Sequence, residues 1–185
     1  MLKKARGFTL IELLIVVAIV GILSAIVIPN AIVAMQKAKQ KETMRQIVHI
    51  ATACADYVTS MGYAPDSGNQ SGPLQAGSNF LTSISPFFLK VCPINDQWGN
   101  PFRVYTGAAI ASVYAIPAED IASDDFLIVS LGRDGEDGGD ENFSYNAANP
   151  SEGFYQINSV ADFNNDLINL DGSWLHAPRM MSSGS

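Results

Sequence analysis

The sequence predicts an α+β protein in which one long N-terminal helix, half of it membrane-length, packs through its other half on a small antiparallel sheet. Three observations carry this. The run from Leu13 to Ile28 holds no charged residue and stops at Pro29-Asn30. Apolar residues then recur at helical spacing as far as Met61. Beyond them come short β-rich stretches divided by Gly, Pro and Asn, together with an acidic, glycine-rich loop. At 185 residues the chain suits one modest domain plus a membrane segment.

The first seven residues form a basic leader with Lys3, Lys4 and Arg6. Those charges hold the leader in the cytoplasm and send the rest of the chain across the membrane. About 21 residues from Phe8 to Ile28, at ~1.5 Å each, span a hydrocarbon core of ~30 Å. A secretory signal would be shorter and end at a small-x-small cleavage site, which Ala25-Ile26-Val27 does not supply. Glu12 stands alone as a charge at the head of this helix. A carboxylate at that depth needs a cationic partner or a proton. If the chain is cut after Gly7, Phe8 gains a free α-amine and Glu12 becomes the fifth residue of the product. Amine and carboxylate then lie at the top of one helix and can pair within a chain or between neighbours. In the uncut chain the nearest cation is Arg6.

The helix is expected to run from about Thr9 to Met61, bent or partly opened near Pro29, which lacks an N–H. Ile47, Ile50, Ala51, Cys54, Val58 and Met61 make the stripe it offers to the head. Gly62 suits a left-handed C-cap, and Pro65 follows. The organisation is therefore a leader (1–7, cleaved), a membrane and assembly helix (8–29), the head half of the helix (30–62) and a globular head (63–185). Within the head, 64–79 reads as a loop, and 80–91 as a packed connector with a short helical turn before Pro86. Strands are expected at Phe102–Tyr105, Ser112–Ile116 and Phe126–Ser130, with a further extended piece at Phe154–Ile157.

The stretch Ser130-Leu-Gly-Arg-Asp134-Gly-Glu-Asp137-Gly-Gly-Asp140 leaves the last of these strands, and Asp162-Phe-Asn-Asn-Asp166 lies further on. Carboxylates and amide carbonyls alternating with glycine are the hard oxygen donors and pliable backbone that Ca²⁺ takes. Asp162, Asn164 and Asp166 match the first three ligand spacings of an EF-hand, but Leu167 and Ser173 break the pattern at positions six and twelve. The alternative is a solvated acidic loop.

Charge and composition exclude other classes. The net charge is −7, and beyond Gly7 the chain holds eight basic against eighteen acidic residues. No nucleic-acid partner is expected. His49 and His176 are the only histidines, no Ser-His-Asp or Cys-His spacing is present, and the glycines from 132 to 139 sit among acids that would repel phosphate. No enzyme is expected. Cys54 and Cys92 are either two buried thiols or a single bridge tying helix to connector.

Gly7-Phe-Thr-Leu-Ile-Glu12, followed by the apolar run and Pro29, closely resembles the class III signal of type IV pilins and type II secretion pseudopilins. The resemblance implies a type IV pilin-like fold and cleavage between Gly7 and Phe8 by a prepilin peptidase, with N-methylation of Phe8. It implies use of Glu12 in assembly into a helical homopolymer. It also implies residence in the bacterial inner membrane, head in the periplasm, before the subunit enters a filament. Partners implied are the lipid bilayer, the inner-membrane assembly platform and minor pseudopilins. Asp96-Gln-Trp-Gly-Asn-Pro-Phe102 looks like the Asp-Pro-Trp-Gly-Asn-Pro-Tyr segment of the major pseudopilin, with Gln97 and Phe102 as departures. Ser-Leu-Gly-x-Asp-Gly is similar to the calcium loop of that subunit. The ligands implied are the Leu131 carbonyl, Asp134, and Asp162 or Asp166, with Asp137 and Asp140 as the alternative, because about twenty residues are inserted between Gly139 and Asp162. The function implied is a structural subunit of the secretion pseudopilus. A surface pilin for adhesion, motility or DNA uptake is the alternative, and a membrane-anchored enzyme or calcium-dependent binding module is third.

Overall fold

The computed structural model describes residues 8–111, 113–136 and 143–179. Helix α1 runs Leu10–Met61 and continues through Pro29. The chain divides into two compact units, with the boundary between Lys37 and Ala38.

In the first unit, α1 is long and apolar enough to cross a membrane, and its most apolar stretch is not buried. Leu10, Leu13 and Ile22 are all more than half exposed. Pro29 supplies no N–H to the preceding turn, and the neighbouring Asn30 side-chain amide donates to the Ile26 carbonyl at 3.1 Å. A helix that presents Leu, Ile and Val on every side suits a lipid surrounding or like helices.

In the second unit the later part of α1 covers one face of a sheet. The strands are β1 (Ser71–Pro73), β2 (Arg103–Thr106), β3 (Phe126–Ser130), β4 (Phe154–Tyr155), β5 (Leu167–Leu170) and β6 (Ser173–Pro178), in the order β1-β2-β3-β5-β6-β4. All pairs are antiparallel except β4 with β6, so the sheet is mixed rather than purely antiparallel. A short helix α2 (Asn79–Ile84), capped by the Ser78 hydroxyl accepting from the Leu81 N–H, precedes the connector. Gly62 closes α1 at φ 81°, donating to the Val58 carbonyl at 2.7 Å, as expected of a left-handed C-cap.

Central β3 is buried along its whole length because it is covered on both faces. Phe126 and Ile128 face α1 and join Ile47, Ile50, Cys54, Phe102 and Val104 in one core. Leu127 and Val129 face the other way, packing with Ile110, Ile116, Leu131 and Ile168 under the 107–121 excursion. Tyr57 completes the helix stripe, while Met61, expected in it, is exposed.

The structure corrects the strand expected at Ser112–Ile116. Ser112 lies outside the described residues, and Val113–Ala115 form a 3₁₀ turn. Tyr114 and Ala115 have φ of 50° and 59°, which a strand cannot accommodate. The turn carries the Tyr114 hydroxyl to Asp166 and seats Ile116 in the outer core. Sequence reading missed β1, β5 and β6, and with them the Asp171-Gly172 hairpin, whose two residues take φ of 50° and 83°. Cys54 and Cys92 are free thiols in this structure. Cys54 is buried in the inner core and Cys92 packs against that core.

Ile50, fully buried between helix and sheet, gives a direct test of this packing. Ile50→Ala is expected to lower unfolding stability by about 2–5 kcal/mol, measured by urea titration.

Candidate functional site

Two places in the molecule gather the residues singled out by the sequence. The first is the start of α1. Thr9 and Glu12 bond each other reciprocally: Glu12 Oε2 accepts from the Thr9 N–H at 2.8 Å and from its hydroxyl at 2.6 Å. The Thr9 hydroxyl oxygen accepts from the Glu12 N–H at 3.3 Å. This is a capping box, with Thr9 as cap and Glu12 three residues on. Sequence reading missed it, although Thr-x-x-Glu before an apolar run is its signature. The lone carboxylate therefore has partners inside its own chain. Phe8 is mostly exposed beside it, and Gly7 lies outside the described residues.

The second place is a junction of three loops. Asp96 organises the Trp98 turn: its Oδ1 accepts from the Trp98 and Asn100 amides at 2.9 and 3.0 Å, and Gly99 takes φ 99°. Its Oδ2 accepts from the Ser130 hydroxyl at 2.7 Å, tying the turn to the end of β3. Burial raises the Asp96 pKa above the ordinary carboxylate value, against the lowering effect of its hydrogen bonds from Ser130, Asn100, Trp98 and Gly99. The Asn100 side-chain amide then donates to the Gly132 carbonyl at 2.8 Å, and the Gln97 N–H donates to Thr43 on α1 at 3.2 Å.

Past Leu131, the loop turns at Gly132, where φ is 62°. A Cβ there would stand 2.4 Å from the Asn164 carbonyl oxygen and 2.7 Å from that of Asn165. The Arg133 N–H donates to the Phe163 carbonyl at 2.8 Å, and its Nε donates to Asn164 Oδ1 at 3.0 Å. The Ser-Leu-Gly segment and the Phe163–Asn165 segment, distant in sequence, are thus pressed together on the Trp98 turn.

The expected calcium ligands take different local partners. Asp134 is exposed, and its carboxylate accepts from the Glu136 N–H at 3.3 Å. Asp162 turns to its own loop, accepting from the Ser159 and Asn158 amides at 2.6 and 2.7 Å; the Ser159 amide foremost lowers its pKa. Asp166 is fully buried and accepts from the Tyr114 hydroxyl at 2.5 Å. Among the described residues no three His, Cys, Asp or Glu side chains group to hold a metal. A main-chain carbonyl at Leu131 and the exposed Asp134 carboxylate are oxygen donors of the kind a hard cation takes. Asp137 and Asp140 lie outside the described residues.

The sequence is similar to those of known proteins. The family model for the prokaryotic N-terminal methylation motif matches residues 2–28. The type II secretion system core protein G of Vibrio cholerae is 30% identical over 145 residues, covering 75% of this chain and 88% of that protein. Core protein G of Pseudomonas aeruginosa is 31% identical over 146 residues, 76% and 92% of the two chains. The type IV major pilin protein PilA of Myxococcus xanthus is 44% identical over 79 residues, and the match spans 37% of this chain and 36% of the pilin. No solved structure matches the chain significantly.

Gly132 is the test of the loop junction, since the facing atoms are backbone and cannot swing aside. Gly132→Ala is expected to cost about 1–3 kcal/mol and to loosen protection of the Arg133 amide in hydrogen exchange.

Proposed function

The chain belongs to the type II secretion core protein G family of pilin-like subunits, and on that premise we propose that it polymerises into a periplasmic pseudopilus that drives type II protein secretion. The observation that carries this is the similarity to core protein G along three quarters of the chain. A second reading, a surface type IV pilus subunit, draws on the higher but shorter identity to PilA. Deleting the chain separates them. Exoproteins held in the periplasm support the first, and normal secretion with lost adhesion or twitching supports the second.

In the proposed cycle, a prepilin peptidase cuts between Gly7 and Phe8 and methylates the Phe8 amine. The leader lies in the cytoplasm and the head in the periplasm, with lipid around α1 until assembly. The assembly platform and minor pseudopilins act on the subunit there. The Phe8 amine of one copy then meets Glu12 of another. The head has a scaffolding role and no catalytic one.

Glu12→Gln keeps an acceptor for the Thr9 capping bonds and removes the charge. It is expected to leave membrane insertion unchanged and to cut the sheared filament yield about ten-fold, read by immunoblot. Undiminished filaments would refute the charge pairing.

We also propose Ca²⁺ as a ligand of the Leu131–Asp134 turn, on the donor chemistry of an exposed carboxylate and a main-chain carbonyl beside an acidic, glycine-rich run. Bound there, the cation would offset like-charge repulsion and hold the turn. Millimolar Ca²⁺ is expected to raise the melting temperature of the full chain above its value in chelator, and Asp134→Asn to abolish the difference. Superimposed melting curves would count against binding.

A further inference from the structure

Charge is spread unevenly along this chain. From Lys37 to Arg45 there are four basic residues and one acidic one, and from Gln46 onward four basic and sixteen acidic. The basic stretch coincides with an open groove of about 500 Å³ on the flank of α1. Its apolar lining is Ala38, Met44 and Val48 of α1 and the half-buried Trp174 of β6. Its charged lining is Lys41, Glu42 and Arg45. Lys41, Met44 or Arg45, and Val48 follow one another at intervals of three and four, so one face of the helix presents them together. Glu42 and Arg45 neutralise each other, the carboxylate taking the guanidinium at 2.9 and 2.5 Å. Lys41 is exposed, as is Lys39, and neither has an ion-pair partner among the described residues. The groove therefore carries one net positive charge beside an apolar surface.

Its volume lies in the range of small-ligand sites. An apolar wall beside a cation selects a ligand with an apolar body and an anionic head. A purely polar anion would leave the wall in water, and an uncharged chain would leave Lys41 unused. Ala38 follows Ile28, the last residue of the uncharged run, by ten residues, which span at most ~35 Å even when fully extended. Lipid around the apolar segment is thereby tethered within reach of the groove, at high effective concentration. Tryptophan and lysine are also side chains that settle at the headgroup level of a bilayer. We propose that the groove binds an anionic phospholipid of the bilayer in which α1 is anchored, with its phosphate at Lys41 and its acyl chain on Met44, Val48 and Trp174. This rests on the membrane reading of α1 and adds to it a lipid contact made by the head. The sixteen acidic residues beyond Gln46 are repelled by the same headgroups, so the charge of the lipid also selects which side of the head turns to the bilayer.

The test uses the full chain reconstituted into vesicles of phosphatidylglycerol or of phosphatidylcholine with the same acyl chains. A photoreactive phenylalanine replaces Val48, which is exposed in the groove. Insertion, read by flotation, is expected to be equal in the two lipids. Lipid adducts at position 48 are expected to be about five-fold more abundant in phosphatidylglycerol. Lys41→Glu is expected to remove that excess and Lys41→Arg to keep it, with the melting temperature of the head unchanged in both because Lys41 is exposed. Raised salt is expected to shrink the excess. Equal labelling in the two lipids, an excess that survives Lys41→Glu, or adducts to a second copy of the chain in place of lipid would each overturn the proposal. A chain that inserts into neither vesicle would strike the membrane reading itself, and the lipid contact with it.

Discussion

A carboxylate in a helix built for hydrocarbon constrains the rest of this chain. Glu12 lies near the start of a helix long and apolar enough to cross a membrane, and in lipid each of its oxygens must find a donor or a counter-charge. The structure meets part of the demand locally, with both the amide and hydroxyl of Thr9 turned onto Oε2. Capping satisfies donors that any helix start leaves open, so one pair of side chains serves the backbone and the carboxylate together. The same helix then runs on into the head, so whatever fixes its start fixes the anchor of the whole subunit.

The head is held by a different division of labour. Its core is apolar and gathers around β3, which is buried on both faces. Its loops are held by polar bonds that radiate from Asp96 to the Trp98 turn and to Ser130, from Asn100 to the Gly132 carbonyl, and from Arg133 to Phe163 and Asn164. Hydrogen bonds of this kind contribute only about 1 kcal/mol each, but they are directional, and leaving a buried partner unmade costs more. They set where the loops sit, while burial supplies most of the stability.

The sequence revealed the long helix almost to the residue, because sixteen uncharged positions and then a 3.6-residue stripe leave little else to form. It also revealed the Gly62 cap and β2 and β3. It failed where short-range signals competed. Asp171-Gly172 follows the acidic Asp162–Asp166 stretch, yet it is the turn of a hairpin whose strands went unread. Val113-Tyr114-Ala115 has strand-like composition, but tertiary contacts from Tyr114 and Ile116 impose positive φ. The hydrogen bonds of Asp162 and Asp166, to a pair of amides and a tyrosine hydroxyl, were not legible either, since no spacing rule foretells them.

Thr9 changes how assembly must be understood. If the unassembled helix left Glu12 bare, pairing with a neighbour's amine would relieve the full cost of a buried charge, and association would be close to irreversible. With Thr9 already bonded to it, pairing becomes an exchange of one set of partners for a better one, and only the difference drives assembly. Lipid offers no hydrophobic advantage to helix association, so in such an assembly the remaining drive would have to come from side-chain packing, for which α1 offers its exposed Leu, Ile and Val. Packing among such similar side chains slides easily; a charge pair does not. Under the proposed pairing, Glu12 would set register and the many weak contacts would set affinity, so that position and strength of association are governed by different residues.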